Sequence, residues 1–265
     1  MTLSIVIPAR NEEGHLTGTV SRLMTVLERA QIPYEVVIVN DHSTDGTAAC
    51  ARQLQATSPF VRVMSNEGPP GFGVTIRVGL AHYAGDVVAI MMADGSDDPQ
   101  DVVTYYQKHL EGYDCVFGSR FIRGGVVTDY PFVKLCFNRL ANAFIQVLFR
   151  LPHNDITNAF KCYSRRAIEG VQPLVTNHFN LTVELPLKAI VRGYSYATVP
   201  IRWTQREHGA SKLKIQEMAS RYLFVILSIF FEKHLSRGDY RRGDQASAEA
   251  VRAGMERPAA EVRKS

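Results

Sequence analysis

The stretch Val87-Val88-Ala89-Ile90-Met91-Met92-Ala93-Asp94-Gly95-Ser96-Asp97-Asp98-Pro99 decides the fold. Its continuous apolar run fits a strand buried on both faces of a parallel sheet. Asp98 before Pro99 predicts a helix N-cap and first helical residue, which puts the three acids in the turn between a strand end and a helix start. Open α/β sheets bind ligands at such turns. Clustered carboxylates there suit Mg²⁺ or Mn²⁺, hard cations that bind through one or two carboxylates together with substrate phosphates. Asp94 is the residue expected on the metal. The competing role for all three acids is to stabilise the helix N-terminus through its dipole.

Working outward, Leu3-Ser4-Ile5-Val6-Ile7-Pro8 predicts a first strand, and a helix follows to about residue 29 with Leu16, Val20, Leu23, Met24 and Leu27 at helical spacing. Glu35-Val36-Val37-Ile38-Val39 predicts a second strand, ending in the polar turn Asn40-Asp41-His42-Ser43-Thr44-Asp45-Gly46-Thr47. Phe60-Val61-Arg62-Val63-Met64 is a third strand, and Gly68-Pro69-Pro70-Gly71-Phe72-Gly73 precedes a helix from Val74 to about Ala84. This β-α-β-α-β rhythm implies a parallel sheet with right-handed crossovers. Gly71 and Gly73 lack the third glycine of a dinucleotide fingerprint, since Ile76 stands there, so an NAD site is rejected. The glycines permit close backbone approach, either to a nucleotide or to the next helix. Strand ends at 8–12, 40–45 and 92–98 share the carboxyl edge. A crevice with Asp41 near a base or ribose, and Asp94 with a metal near phosphates, suits a nucleotide diphosphate.

Composition sets the frame. The 265 residues are 46% hydrophobic and 21% charged, enough for one large α/β domain or two small ones. Thirty basic against 26 acidic side chains, without a basic run, is too mild to argue for nucleic acid, and is compatible with a membrane surface or a phosphorylated ligand. The four cysteines form no C-x-x-C and the eight histidines no zinc spacing, so reduced structural cysteines in a reducing compartment are expected. The N-terminus enters a strand without a cleavable leader, which gives a cytoplasmic expectation.

The segments I-V-I-P-A-R-N-E-E, V-I-V-N-D-H-S-T-D-G-T, A-G-D-V-V-A-I-M-M-A-D-G-S-D-D-P and G-S-R-F resemble the inverting family 2 glycosyltransferases of the GT-A fold. Within them the chain looks closest to the dolichol-phosphate mannosyltransferase and polyprenyl-phosphate glycosyltransferase branch, over roughly residues 3–215. The resemblance implies an α/β, Rossmann-like, mostly parallel sheet flanked by helices. It also implies that Pro8, Arg10, Glu12 and Asp41 line the nucleotide pocket, while Asp94 and Ser96 hold the metal and diphosphate. Two positions depart from the family pattern. Met92 replaces the first acid of D-x-D with a thioether that ligates hard cations poorly, and the paired acids after the second strand are Asn40-Asp41.

Cys115 to Phe121 predicts a strand ending at Arg120, and a helix from about Pro131 to Phe149 stacks Lys134 and Asn138 on one face. In the resembling family this region binds the lipid-phosphate acceptor, and Arg120, Lys134 and Asn138 stand at the positions taken as equivalent; for Lys134 the alternative is a solvated helix face. Asp155-Ile156-Thr157-Asn158-Ala159-Phe160 resembles the family's D-x-T-x-G-F, with Ala159 in place of glycine. Glu184, flanked by apolar residues, either pairs with a basic group or works on the substrate, and the site role is favoured. Arg206-Glu207-His208-Gly209-Ala210-Ser211-Lys212 matches the family's R-x-x-G-x-S-K, making Arg206, Ser211 and Lys212 the expected donor-phosphate residues.

Arg221 to Lys233 holds an apolar run short of the ~20 residues that cross a bilayer. It predicts an amphipathic helix at a membrane surface or a subunit interface, with Arg221, Lys233, His234, Arg237, Arg241 and Arg242 facing phosphates. Gln245 to Ser265 reads as disordered. The expected organisation is a catalytic domain over 1–215, the helix over 216–238 and a polar tail over 239–265. The expected function is metal-dependent (Mg²⁺ or Mn²⁺) transfer of a sugar from GDP-mannose or a UDP-hexose to a polyprenyl or dolichyl-type lipid phosphate at the inner face of the membrane, with peripheral association. Asp94, Arg120, Glu184, Arg206 and Lys212 are the expected catalytic residues. A hydroxyl acceptor and a non-catalytic nucleotide-sugar scaffold are the alternatives, and homo-oligomerisation is left open.

Overall fold

The structure, a computed structural model, describes residues 1–205 and 215–240. In chain order the elements are β1 (Leu3–Ala9), α1 (Leu16–Arg29), β2 (Tyr34–Asn40), α2 (Thr47–Thr57), β3 (Val61–Ser65), α3 (Phe72–His82), β4 (Val87–Ile90), α4 (Pro99–Leu110), β5 (Cys115–Ser119), β6 (Val126–Thr128), α5 (Phe132–Phe149), β7 (Lys161–Ser164), α6 (Arg165–Gly170), α7 (Leu181–Val191), β8 (Tyr196–Pro200), β9 (Arg202–Thr204) and α8 (Ile215–Leu235). Seven strands form the central sheet in the order β3-β2-β1-β4-β7-β5-β8. All pair in parallel except β7, which runs antiparallel to both β4 and β5.

The apolar strands are buried on both faces because their period of two feeds two cores. Leu3, Ile5, Ile7, Val36 and Ile38 pack against Leu16, Leu23, Ala51 and Tyr105 from α1, α2 and α4. Val6, Val37, Val39, Val88 and Ile90 pack on the opposite face against Ile76, Leu80, Ala167 and Leu185 from α3, α6 and α7. Asp98 caps α4 as expected, its carboxylate accepting from Gln100 N with Pro99 at the first helical position.

Because β7 is reversed, the segment entering it, residues 153–160, reaches the same edge as the carboxyl ends of β1, β2, β4 and β5. In register, Lys161 lies opposite both Ile90 and Phe117. A separate two-stranded sheet, β6 with β9, flanks this edge. Val225, Ile226 and Ile229 of α8 pack against Ile145 and Phe149 of α5 and Val183 and Leu187 of α7. The end of α8 is latched by a partly buried Arg192–Glu232 ion pair (2.8 Å) and by Lys233 Nζ donating to Phe149 O (2.8 Å). The expected surface helix is therefore partly a core element.

Much of the apolar surface of α5 faces outward, although Ile145 and Phe149 pack inward. Asn142 is fully buried and Asn138 and Arg139 half-buried, whereas Phe132, Val133, Phe137, Leu140, Phe144 and Val147 are exposed. By length and composition α5 is the one helix among the described residues apolar enough to cross a membrane, yet only 17% of it is buried. The sequence reading placed the apolar surface on 222–231 alone; Leu223, Phe224 and Phe231 do stay exposed, but α5 carries more of that surface.

Candidate active site

The acid turn after β4 divides its labour. Asp97 is 2% exposed and accepts from Met92 N (3.0 Å); burial, with Asp94 nearby, pushes its carboxyl up to about 7 against the pull of that hydrogen bond and of Arg120. Asp98 is engaged by the Gln100 amide and Arg202 (2.7 Å). Asp94 is half-buried, and its Oδ1 accepts from Ser96 N (3.1 Å), which sets these two residues side by side. Gly95 between them has φ +74°, the left-handed region that glycine tolerates. The turn is clasped from outside by β9: Thr204 N donates to Ser96 O (3.0 Å), and Arg202 N to Asp101 Oδ2 (2.7 Å).

Among the described residues no three His, Cys, Asp or Glu side chains converge as a metal cage. One carboxylate and one hydroxyl instead fit a cation whose remaining ligands come from water and a diphosphate. The donor set at Asp94 and Ser96 thus suits Mg²⁺ or Mn²⁺ despite Met92.

On the nucleotide side, Pro8 is buried within β1 opposite Val39, and Arg10 is exposed with Nη1 3.7 Å from Asp41 Oδ2. Glu12 N donates to Thr47 Oγ1 (2.7 Å). Asp41 is 4% exposed, accepting from Asn66 Nδ2 (2.8 Å) and Gly71 N (3.1 Å). The Asp41 carboxylate thus anchors the glycine loop beside Arg10. The loop's close approach is to protein, since a Cβ on Gly73 would lie 2.5 Å from Thr176 O.

Arg120 sits at the end of β5. Its Nε and Nη2 form a fork with Asp155 (2.8 and 2.7 Å), and its backbone N donates to the same carboxylate (3.0 Å). Phe121, Tyr130 and Trp203 surround the guanidinium with ring centroids 5.2–5.5 Å from Cζ. Although burial opposes its charge, Asp155 holds Arg120 above its ordinary value. The expected acceptor arginine is therefore only 7% exposed. Two residues beyond Asp155, Thr157 Oγ1 accepts from Asn138 Nδ2 (2.8 Å) and Asn142 Nδ2 (2.9 Å), while Arg139 donates to Asn154 O (2.9 Å). Arg120 and Asn138 are thus joined through one loop, with Lys134 exposed one helical turn before Asn138.

Glu184 does not face this crevice as a free acid. It accepts from Val175 N (2.8 Å), Thr176 N (2.9 Å), Thr176 Oγ1 (2.6 Å) and Lys188 Nζ (2.7 Å). Burial would raise its pKa, but Lys188, Thr176 and the amide hold it below the ordinary carboxylate range. The favoured site role is corrected to a structural pair. Arg206, Ser211 and Lys212, like the tail from 241, lie outside the described residues; the chain leading to them is fixed by Gln205 N donating to Thr128 O (3.0 Å). Asp155, Thr157, Asn142 and the Tyr130–Trp203 pair were not singled out from sequence. Asp155 and Thr157 carried a signal in the D-x-T segment, which gave no partner for either.

Residues 4–171 match the family described as Glycosyl transferase family 2. The polyprenol monophosphomannose synthase of Mycolicibacterium smegmatis is 30% identical over 215 residues, covering 79% of this chain and 80% of that protein. The dolichol-phosphate mannosyltransferase of Pyrococcus furiosus is 28% identical over 218 residues, covering 81% of this chain and 60% of the relative. The glucosyl-3-phosphoglycerate synthase of Mycobacterium tuberculosis, solved with Mn²⁺, UDP-glucose and phosphoglyceric acid, superposes with a TM-score of 0.67 at 19% identity, over 86% of this chain and 79% of that one. This last likeness is one of fold.

Proposed function

Because this chain belongs to glycosyl transferase family 2, and so is a glycosyltransferase of GT-A fold, we propose that it moves a sugar from a nucleoside diphosphate donor to a polyprenyl-type lipid phosphate. The observation that carries this reading is the fixed guanidinium of Arg120, taken with a Glu184 already spent on four hydrogen bonds elsewhere. A hydroxyl acceptor needs a positioned base as it attacks. A phosphomonoester, with a second pKa near 6, is largely ionised at neutral pH and needs only cationic positioning. Both curated relatives are named for polyprenol or dolichol phosphate mannose transfer. GDP-mannose is accordingly the first donor to test.

In this reading Asp94 and Ser96 hold Mg²⁺ or Mn²⁺ against the donor diphosphate, and the ion, when bound, neutralises charge that develops on the leaving group. Arg10 and Glu12 stand beside the nucleotide at the mouth of β1, and Arg206, Ser211 and Lys212 complete the phosphate cradle. Arg120 orients the acceptor phosphate, with Lys134 and Asn138 on its approach. Asp155 keeps the guanidinium plane fixed, and the surrounding rings exclude water, which strengthens each charge interaction inside.

Transfer of labelled mannose from GDP-mannose to a short polyprenyl phosphate, dependent on Mn²⁺ or Mg²⁺, is the expected result, with Glu184→Gln retaining turnover. Glycosylation of simple alcohols by the parent, lost in Glu184→Gln, would instead establish the hydroxyl-acceptor reading.

The exposed apolar face of α5 and the outer face of α8 support a reading in which the enzyme works at a membrane surface. Inward-facing Asn138, Arg139 and Asn142 tie α5 to the body, so it lies on the bilayer instead of crossing it. Leu140→Glu with Val147→Glu alters two side chains that are 68% and 79% exposed, so stability should change by no more than about 0.5 kcal/mol each. Flotation with anionic vesicles should nevertheless be lost while donor binding is kept. Undiminished flotation would remove α5 from the membrane contact.

A further inference from the structure

Lys161, the first residue of β7, is 1% exposed. Its ammonium donates to three main-chain carbonyls, those of Ile156 (2.9 Å), Asn158 and Thr182 (3.4 Å). Two of them flank Thr157 in the loop that carries Asp155; the third belongs to the first turn of α7. The titratable groups around it are Asp155 and His153 in that loop, Arg120 at the end of β5 and Asp97 in the acid turn. No carboxylate is among its hydrogen-bond partners, so its work is on the backbone.

We infer that Lys161 is a positioning residue for the acceptor phosphate, its ammonium pinning the 155–158 loop so that Asp155 meets Arg120 and Thr157 meets Asn138. This rests on the reading of Arg120 as the acceptor-phosphate group. With the carbonyls of Ile156 and Asn158 drawn to one cation, the Asp155 carboxylate and the Thr157 hydroxyl point the other way, toward β5 and α5. Removing the cation orphans buried carbonyls, each of which carries a desolvation penalty unless the loop turns to find another donor. Such a turn would carry Asp155 away from the guanidinium. Burial lowers the Lys161 pKa to about 7, with Asp155 opposing the fall and Arg120 adding to it, so holding charge there is costly. An apolar side chain could fill the space without that penalty. The carbonyl contacts explain why a cation occupies it.

The test is steady-state kinetics of Lys161→Met and Lys161→Arg with GDP-mannose and a short polyprenyl phosphate, beside calorimetric binding of GDP and thermal melting. Lys161→Met should raise the acceptor KM by about tenfold or more, with the donor KM and GDP affinity within about twofold of the parent. Lys161→Arg, which keeps charge and donors, should restore the acceptor KM to within about threefold. Equal losses toward donor and acceptor, or no rescue by arginine, would show a merely structural residue and overturn the inference. If Lys161→Met does not fold, Lys161→Gln takes its place under the same two outcomes. Arg120→Ala in the same assay separates the two levels. Parental transfer with an unchanged acceptor KM there defeats the acceptor reading and this inference with it, whereas lost transfer or a raised KM there beside an unaltered Lys161→Met defeats this inference alone.

Discussion

Arg120→Ala is expected to melt well below the parent and to lose transfer, while still binding the donor. The substitution strands a carboxylate that is fully buried, since Asp155 is 0% exposed and both its oxygens are engaged by the guanidinium. Breaking a buried pair from one side costs about 3–5 kcal/mol, which in a chain of this size is a fall of roughly 6–20 °C in Tm. Arg120→Lys keeps the charge but not the planar fork, so it should fall between the two. The informative comparison is Arg120→Ala combined with Asp155→Ala. With no unpaired carboxylate left, the double variant should recover part of the lost stability but none of the transfer. Melting curves and acceptor kinetics on the three proteins decide the matter. A single variant with parental Tm would mean that the pair is not buried in solution, and a double variant that regains transfer would remove Arg120 from the chemistry.

Asp94→Ala should abolish the metal dependence of donor binding and lower turnover by about a thousandfold, the equivalent of about 4 kcal/mol of charge stabilisation. The neighbouring acids provide the control because the structure commits them elsewhere. Asp98→Ala removes the α4 cap and the contact with Arg202, for about 1 kcal/mol of stability, and should leave the metal response intact. Calorimetric titration of GDP with and without Mn²⁺ reads both variants. Donor binding by Asp94→Ala with unaltered metal dependence would exclude Asp94 as the ligand.

Strands β1 to β5 were legible to within a residue or two because a strand buried on both faces is a continuous apolar run, and the runs of β1, β2 and β4 end close to Pro8, Asn40 and the acids after Met92, although β1 continues through Pro8 to Ala9. β7 was not legible. Lys161-Cys162-Tyr163-Ser164 is four residues long and opens on a lysine, and its burial and reversed direction depend on β4 and β5 already lying on either side. The pairing of Arg120 with Asp155 spans 35 residues and follows from that same reversal. Glu184 was over-read. A carboxylate at a sheet edge or among apolar neighbours has the same appearance in sequence whether its partner is a ligand or a backbone amide. The outward apolar side of α5 was not legible either, because helical spacing gives a period of 3.6 residues whichever side leans on the body.

The single reversed strand also divides the chain in time and in heredity. By Asp98 the polypeptide has completed β1 to β4 and every described residue assigned to nucleotide and metal. Arg120, Asn138, Asp155 and Lys161 all come later, delivered by chain arriving at the carboxyl edge through β7 as well as leaving it through β5. If the proposed assignments hold, substitutions that refit the enzyme to a different phosphate-bearing acceptor can therefore accumulate between Cys115 and Lys161 without rebuilding the strand ends that take the donor. The seam between the two halves is the antiparallel ladder of β4 with β7.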